Sequence, residues 1–133
     1  MIIGIGIDSV EIARLIPWTK MSKKQLSRIF SPEEIAYSFQ SPLKTPERLA
    51  ARFAAREACF KALSLHCSKP LPFLTLCRAL HLKSLPSGAP VLIVDWQYLS
   101  EKGYFKPLLA PRCHISLTHT RTTATAIVIL ECN

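Results

Sequence analysis

Apolar and polar residues alternate strictly from Ile2 to Asp8, with Ile3, Ile5 and Ile7 on one face and Gly4, Gly6 and Asp8 on the other. That period of two predicts a strand. Trp18 to Ile29 reads as a helix. Ser31-Pro32-Glu33-Glu34 is a capping box with proline at the first helical position, and it opens a short helix through Phe39. Thr45-Pro46-Glu47 opens a long helix that runs to about Leu65. Within it Leu49, Phe53, Phe60 and Leu63 form one apolar stripe, predicted to face the sheet. Leu74 to Leu82 and Val91 to Asp95 read as strands joined through the turn sequence Pro86-Ser87-Gly88-Ala89. His114 to Thr120 and Thr123 to Glu131 read as two further strands with a tight turn near Arg121. The order is strand, helices, then strands. It predicts an α+β fold, a mostly antiparallel sheet packed against one long helix and shorter helices.

Length and composition narrow the class. The 133 residues suit one domain, expected over 1–133, with a single core. A hydrophobic fraction of 49% with 20% charged residues excludes a disordered or collagen-like chain. No apolar run approaches the roughly 18 residues of a membrane span. The first residues lack a basic leader and read as a strand, so the expected compartment is the cytoplasm. Seventeen Lys+Arg against nine Asp+Glu leave a net charge of +8. A field of that sign attracts nucleic acid, phosphorylated metabolites or an acidic protein. The mean hydropathy of +0.21 points to self-association as a use for surplus apolar surface. Cys59, Cys67, Cys77, Cys113 and Cys132 are odd in number and contain no C-x-x-C. They are expected as reduced, mostly buried thiols.

Several positions carry candidate chemistry. Arg56 falls in the apolar row of the long helix, where a cation needs a partner: it either snorkels to solvent or sits beside a carboxylate or a phosphate site. Arg48, Arg52 and Arg56 repeat every four residues, a repulsive row that something anionic should compensate. Glu57 and Lys61, also four apart, are either an ordinary helical ion pair or part of a site at the edge of the apolar stripe. Gly4 and Gly6 leave a bare strand face with Asp8 at its rim. That face fits either a hard cation held by Asp8 or close backbone packing. His114, Ser116, Thr118 and Thr120 share one strand face as a hydrogen-bonding rail or a solvated outer face. His119, on the apolar side, is expected as a satisfied core histidine. No H-E-x-x-H and no nucleophile elbow occurs, so covalent catalysis is not indicated.

Four segments occur in order: Gly4-Ile5-Gly6-Ile7-Asp8 with Arg14; Phe30-Ser31-Pro32-Glu33-Glu34 with Tyr37; Arg52-Phe53-Ala54-Ala55-Arg56-Glu57-Ala58 with Lys61-Ala62-Leu63; and His114-Ile115-Ser116-Leu117-Thr118-His119-Thr120. Together they resemble the holo-[acyl-carrier-protein] synthases, the small bacterial 4′-phosphopantetheinyl transferases, from residue 2 to about 130. The resemblance implies transfer of 4′-phosphopantetheine from coenzyme A to a serine of apo acyl carrier protein, with release of adenosine 3′,5′-bisphosphate, in support of fatty acid biosynthesis. It implies Mg²⁺ held by Asp8 and Glu57, with Lys61 reaching the coenzyme A phosphates and Glu57 or water taking the serine proton. It places Arg52, Arg56, Lys61, His114, Ser116 and Thr118 near coenzyme A. It also implies a homotrimer with each site between neighbouring subunits. An acidic carrier would give Arg14, Lys20, Lys24 and Arg28 a docking role, the last three as an i,i+4 cationic stripe. The chain departs from the family pattern at Ala51, where glycine is usual, and at Arg56, where lysine is usual. An Arg fork differs from an ammonium in reach and geometry.

Two other classes compete. A nucleic-acid-binding domain accounts for the charge but calls for aromatic platforms among the cations. It also gives Asp8 and Glu57 no task. A non-catalytic module on the same fold would bind coenzyme A or the carrier without transfer.

Overall fold

The computed structural model describes residues 1–106 and 110–133. Among the described residues five strands and five α-helices follow one another as β1 (Ile2–Glu11), α1 (Lys23–Leu26), α2 (Pro32–Ser38), α3 (Thr45–Ser64), α4 (Phe73–Arg78), β2 (Leu80–Ser84), β3 (Pro90–Val94), α5 (Trp96–Glu101), β4 (Arg112–His119) and β5 (Thr123–Glu131). Short 3₁₀ turns at Ile12–Leu15, Pro17–Lys20 and Pro42–Lys44 join the early elements. The architecture is α+β and antiparallel, but the strands form two sheets rather than one. One has the order β1-β5-β4, and the other is the β2–β3 hairpin.

β1 and β5 pair from Gly4↔Leu130 to Glu11↔Thr123, with a register shift between Ile2 and Gly4. The alternation therefore sorts the sheet into two faces. Val10, Ala124, Ala126, Val128 and Leu130 are buried beneath α3, whereas Ile5 and Ile7 point away from it and are 59% and 56% exposed. α3 lies unusually close to β1. A Cβ on Gly4 or Gly6 would fall inside the van der Waals envelope of the Ala62 or Ala58 carbonyl oxygen. The bare glycine face is thus a helix seat, with Ala54, Ala58 and Ala62 buried above it. Leu49 and Leu63 of the predicted stripe are fully buried. Phe53 and Phe60 turn to the helix flank, where both meet Phe73 edge-on and Phe53 also meets Trp18.

Three expectations need correction. The helix predicted over Trp18–Ile29 is broken at Met21 and Ser22, whose backbones are extended. Ser22 and Gln25 form a second capping box that starts α1 afresh. Lys20, Lys24 and Arg28 consequently do not share one helical row, although all three are exposed. The strand predicted from Leu74 is instead α4 followed by β2, because an apolar run of that length fits either period. α5, which the pattern did not show, is capped by the Asp95 carboxylate accepting the Tyr98 amide at 2.9 Å.

Candidate functional site

Arg56 resolves first, because both of its terminal nitrogens are engaged. It is fully buried, and its two terminal nitrogens donate to the Glu34 carboxylate at 2.7 and 2.8 Å. Further donations go to the Leu80 and Arg52 carbonyl oxygens at 3.2 and 3.3 Å. Glu34 is buried too; its Oε1 also accepts the Leu82 amide at 3.3 Å. Burial opposes ionisation of Glu34, yet the Arg56 guanidinium, its hydrogen bonds and the Leu82 amide together hold the carboxyl below its ordinary range. The anion predicted for this cation is therefore a carboxylate 22 residues upstream. Arg56 is a structural clamp between α2, α3 and β2: both terminal nitrogens are committed to protein oxygens, and its Nε, which has no hydrogen-bond partner among the described residues, is buried out of reach of a cofactor phosphate.

The carboxylate site forms where α3 passes the edge strand β1. The glycine seat holds α3 against β1, which brings Lys61 alongside Ile7 and Asp8 of that strand. The Lys61 ammonium donates to Asp8 Oδ1 at 3.0 Å and to the Ile7 carbonyl oxygen at 2.9 Å. The Lys61 side chain is 52% exposed and that of Asp8 17%. Glu57, one turn before Lys61, joins the same cluster. Burial raises its carboxyl above the ordinary range, the nearby Asp8 raises it further, and Lys61 and Arg14 oppose the shift. Asp8 and Glu57, 49 positions apart in sequence, thus lie within electrostatic reach of each other. Arg14 borders the same cluster.

A second cluster lies at the opposite edge of the sheet. Lys44, Arg48, Arg52, Gly88, Pro90 and His119 line a cleft of about 320 Å³. Arg48 and Arg52 stack over the Tyr37 ring at 4.2 and 4.6 Å, and Arg48 donates to the Tyr37 carbonyl oxygen at 2.7 Å. The Arg52 Nε lies 3.8 Å from Glu34. Glu34 and Tyr37 therefore absorb much of the repulsion predicted for the arginine row. His119 is not a core histidine: its side chain is 55% exposed, and Nε2 lies 3.4 Å from the Glu47 carboxylate. Sequence reasoning missed Lys44 and the cleft as a unit. The arginine repeat and the Gly88-Ala89-Pro90 turn were its only traces.

The hydroxyl rail occupies the outer face of β4. His114, Ser116 and Thr118 stand opposite Ile129, Ile127 and Thr125 on β5. They point away from Asp8, which lies on the helix side, although Thr118 also reaches the rim of the cleft. His114 Nε2 lies 2.9 Å from Glu131. Within one chain the structure brings Asp8, Glu57, Lys61 and Arg14 together and leaves Arg52, His114, Ser116 and Thr118 elsewhere.

Trp18, Phe30, Phe53, Phe60 and Phe73 pack on one another rather than forming an exposed base-stacking row, and Tyr37 is already covered by Arg48 and Arg52. No helix among the described residues is long and apolar enough to cross a membrane. The five cysteines form no disulfide, with Cys59 and Cys77 buried.

Comparison with known proteins agrees with the motifs. The family model for the 4′-phosphopantetheinyl transferase superfamily matches residues 4–108. The holo-[acyl-carrier-protein] synthases of Treponema denticola and Nitratidesulfovibrio vulgaris are each 38% identical to this chain, with 98% of the chain and 99% of each relative covered. The holo-(acyl-carrier-protein) synthase of Bacillus anthracis, solved in complex with CoA (3′,5′-ADP), superposes with a TM-score of 0.75 at 26% identity over 100% of this chain and 99% of that one. The Helicobacter pylori holo-[acyl-carrier-protein] synthase, solved with coenzyme A, does so with a TM-score of 0.71 at 29% identity over 96% and 99%. With a model match over most of the length and relatives of this identity across nearly the whole chain, the protein belongs to the 4′-phosphopantetheinyl transferase superfamily, within its holo-[acyl-carrier-protein] synthases.

Proposed function

We propose that the protein moves 4′-phosphopantetheine from coenzyme A to the serine hydroxyl of an acidic apo acyl carrier protein, releasing adenosine 3′,5′-bisphosphate, in a Mg²⁺-dependent reaction that serves fatty acid biosynthesis in the cytoplasm. The observation that carries this reading is the meeting of Asp8, Glu57 and Lys61 at the β1–α3 edge. Burial and the neighbouring Asp8 charge raise the Glu57 carboxyl, a crowding of negative charge that a cation between the two would relieve, and two carboxylates plus substrate phosphate is the donor set Mg²⁺ commonly accepts. The donor set fits. When bound, the ion would neutralise charge on the diphosphate.

The remaining chemistry falls to the chain's own groups. The serine oxygen attacks the phosphorus that bears pantetheine. An O–P bond forms, the diphosphate P–O bond breaks, and the nucleoside bisphosphate leaves with the electron pair. Such a displacement is governed by positioning and by charge on the phosphoryl oxygens. Lys61, half-exposed on a flexible stem, is placed to bind those oxygens. Glu57 is a stronger base than an ordinary glutamate, which suits it to accept the serine proton. Arg14 borders the site and would meet the carrier as its serine enters, with Lys20, Lys24 and Arg28 on the approach.

Assembly as a homotrimer accounts for the separation of the two clusters. The strand order puts the carboxylates at the β1 edge and the Lys44–Arg48–Arg52 cleft at the β4 edge. One coenzyme A reaching both within a chain would have to cross the packed α3–β5 layer. A neighbour's cleft set beside the β1 edge removes that obstacle. The exposed Ile5 and Ile7, with Ile127 and Ile129 beside them, give the outer sheet face the apolar character of a subunit contact. His114, Ser116 and Thr118 share that face, so they would reach coenzyme A across the contact.

The test is to incubate the protein with coenzyme A, Mg²⁺ and an apo acyl carrier protein, then weigh the carrier. A gain of one phosphopantetheine arm, abolished by chelator and by Asp8→Ala, is expected. An unchanged carrier would leave only a binding module.

A further inference from the structure

We propose that Lys61 is the resident cation of the carboxylate site in the ligand-free protein, and that it competes with a divalent ion for Asp8 until the coenzyme A diphosphate draws it away. The proposal rests on the reading that Asp8 and Glu57 hold that ion.

Lys61 does more than neutralise a neighbour. Its ammonium is held by two oxygens, Asp8 Oδ1 at 3.0 Å and the Ile7 carbonyl at 2.9 Å. Both belong to adjacent residues of β1, and an oxygen cradle around a compact hard charge is also what Mg²⁺ selects. Two positive centres at that spot repel strongly in a partly desolvated setting. The mobilities of the partners differ in the direction the exchange requires. Asp8 is mostly covered and fixed on a paired strand, whereas the Lys61 side chain is 52% exposed and can swing about its own stem. No group of three or more His, Cys, Asp or Glu side chains able to hold a metal occurs among the described residues. A dication at Asp8 and Glu57 therefore depends on two carboxylates, one of them already neutralised by lysine.

Coenzyme A changes both sides of this balance. Its diphosphate gives the ammonium a new acceptor and supplies oxygens to the ion. Metal and coenzyme A should therefore bind with positive coupling, and by linkage each tightens the other by the same factor. The order has a consequence for the reaction: the ion reaches Asp8 with the substrate rather than before it.

The test titrates the folded protein with Mn²⁺ alone, following loss of the free-ion electron paramagnetic resonance signal. Lys61→Met removes the ammonium and keeps the stem. It should tighten Mn²⁺ about tenfold, the scale expected for a close but half-solvated charge. Lys61→Arg retains a cation and should stay within about threefold of wild type, as should Lys83→Met on β2, a control for net charge. With saturating coenzyme A the gap between wild type and Lys61→Met should close. A Lys61→Met protein that binds Mn²⁺ no tighter than wild type overturns the proposal, as does equal tightening by Lys83→Met. A gap that persists with coenzyme A overturns the displacement step. Asp8→Asn, made in both backgrounds, separates the proposal from its premise. If it leaves Mn²⁺ binding unchanged, the metal reading itself fails; if it abolishes binding while Lys61→Met has no effect, only the lysine exchange fails.

Discussion

Glu34→Ala should be among the most destabilising single changes in this protein. The Glu34 carboxylate accepts from both terminal nitrogens of Arg56 at 2.7 and 2.8 Å and from the Leu82 amide at 3.3 Å, with neither charged side chain exposed. Truncation strands a buried guanidinium and a buried amide, and removing one partner of a buried ion pair costs about 3–5 kcal/mol. A domain of this size has roughly 5–15 kcal/mol in all, so the melting temperature should fall by more than about 10 °C. Replacing both partners by apolar residues, Glu34→Leu with Arg56→Met, leaves no orphaned charge and should recover most of that loss. Arg56→Lys keeps one charged contact and gives up the fork, for an intermediate loss of about 1–3 kcal/mol. The pH dependence follows from the sign of the Glu34 shift. Its folded pKa lies below the unfolded value, so its stabilisation is present above the unfolded value of about 4.3 and fades as pH falls through the folded one. Glu34→Gln should therefore flatten the loss of stability below about pH 4. Urea unfolding followed by circular dichroism measures all four variants. A Glu34→Ala protein within about 1 kcal/mol of wild type would refute the clamp and return Arg56 to the candidates for phosphate contact.

Gly6→Ala sets a methyl group against the Ala58 carbonyl oxygen, so α3 must shift off β1; thermal unfolding should show a loss of about 2 kcal/mol or more, against about 1 kcal/mol for Gly88→Ala, where only a φ of +86° is strained. Ile7→Glu on the outer sheet face should convert the proposed homotrimer to monomers in light scattering and abolish transfer while circular dichroism stays native; a trimer that survives it would mean this face is not the contact. Lys24→Glu combined with Arg28→Glu should raise KM for the carrier about tenfold or more at low salt and leave KM for coenzyme A within about twofold. Equal effects on the two constants would place docking elsewhere.

Much of the fold was legible because strand alternation is a local signal. β1 and β5 show it in their own residues, and Thr45-Pro46-Glu47 and Ser31-Pro32-Glu33-Glu34 mark helix starts by chemistry that acts within one turn. The failures are also local, but ambiguous. Leu74-Thr75-Leu76-Cys77 is apolar in both periods, and the Ser22–Gln25 capping box lay inside a longer stretch that also scanned as helix. The site was legible only in its residue types. The anion beside Arg56 was foreseeable from its position in an apolar row; that it is Glu34 depends on how α2 packs against α3. The alternation of β4 was read correctly, though His119 on its helix side proved exposed; in the proposed homotrimer, which face meets coenzyme A would depend on a second chain.

The glycines show how the two levels connect. Nothing about Gly4 and Gly6 is chemical, and the sequence admitted a cation floor or close backbone packing. The structure selects packing, and the packing makes the chemistry. Without side chains at those two positions the carbonyls of Ala58 and Ala62 settle on β1, and the helical repeat then delivers Glu57 and Lys61 to the stretch of the strand where Asp8 stands. Any side chain at residue 6 would raise the helix and draw the lysine away from the aspartate. The electrostatic site thus depends on a steric one. Asp8 and Lys61 can meet across 53 residues because two glycines between them and the chain start carry nothing at all.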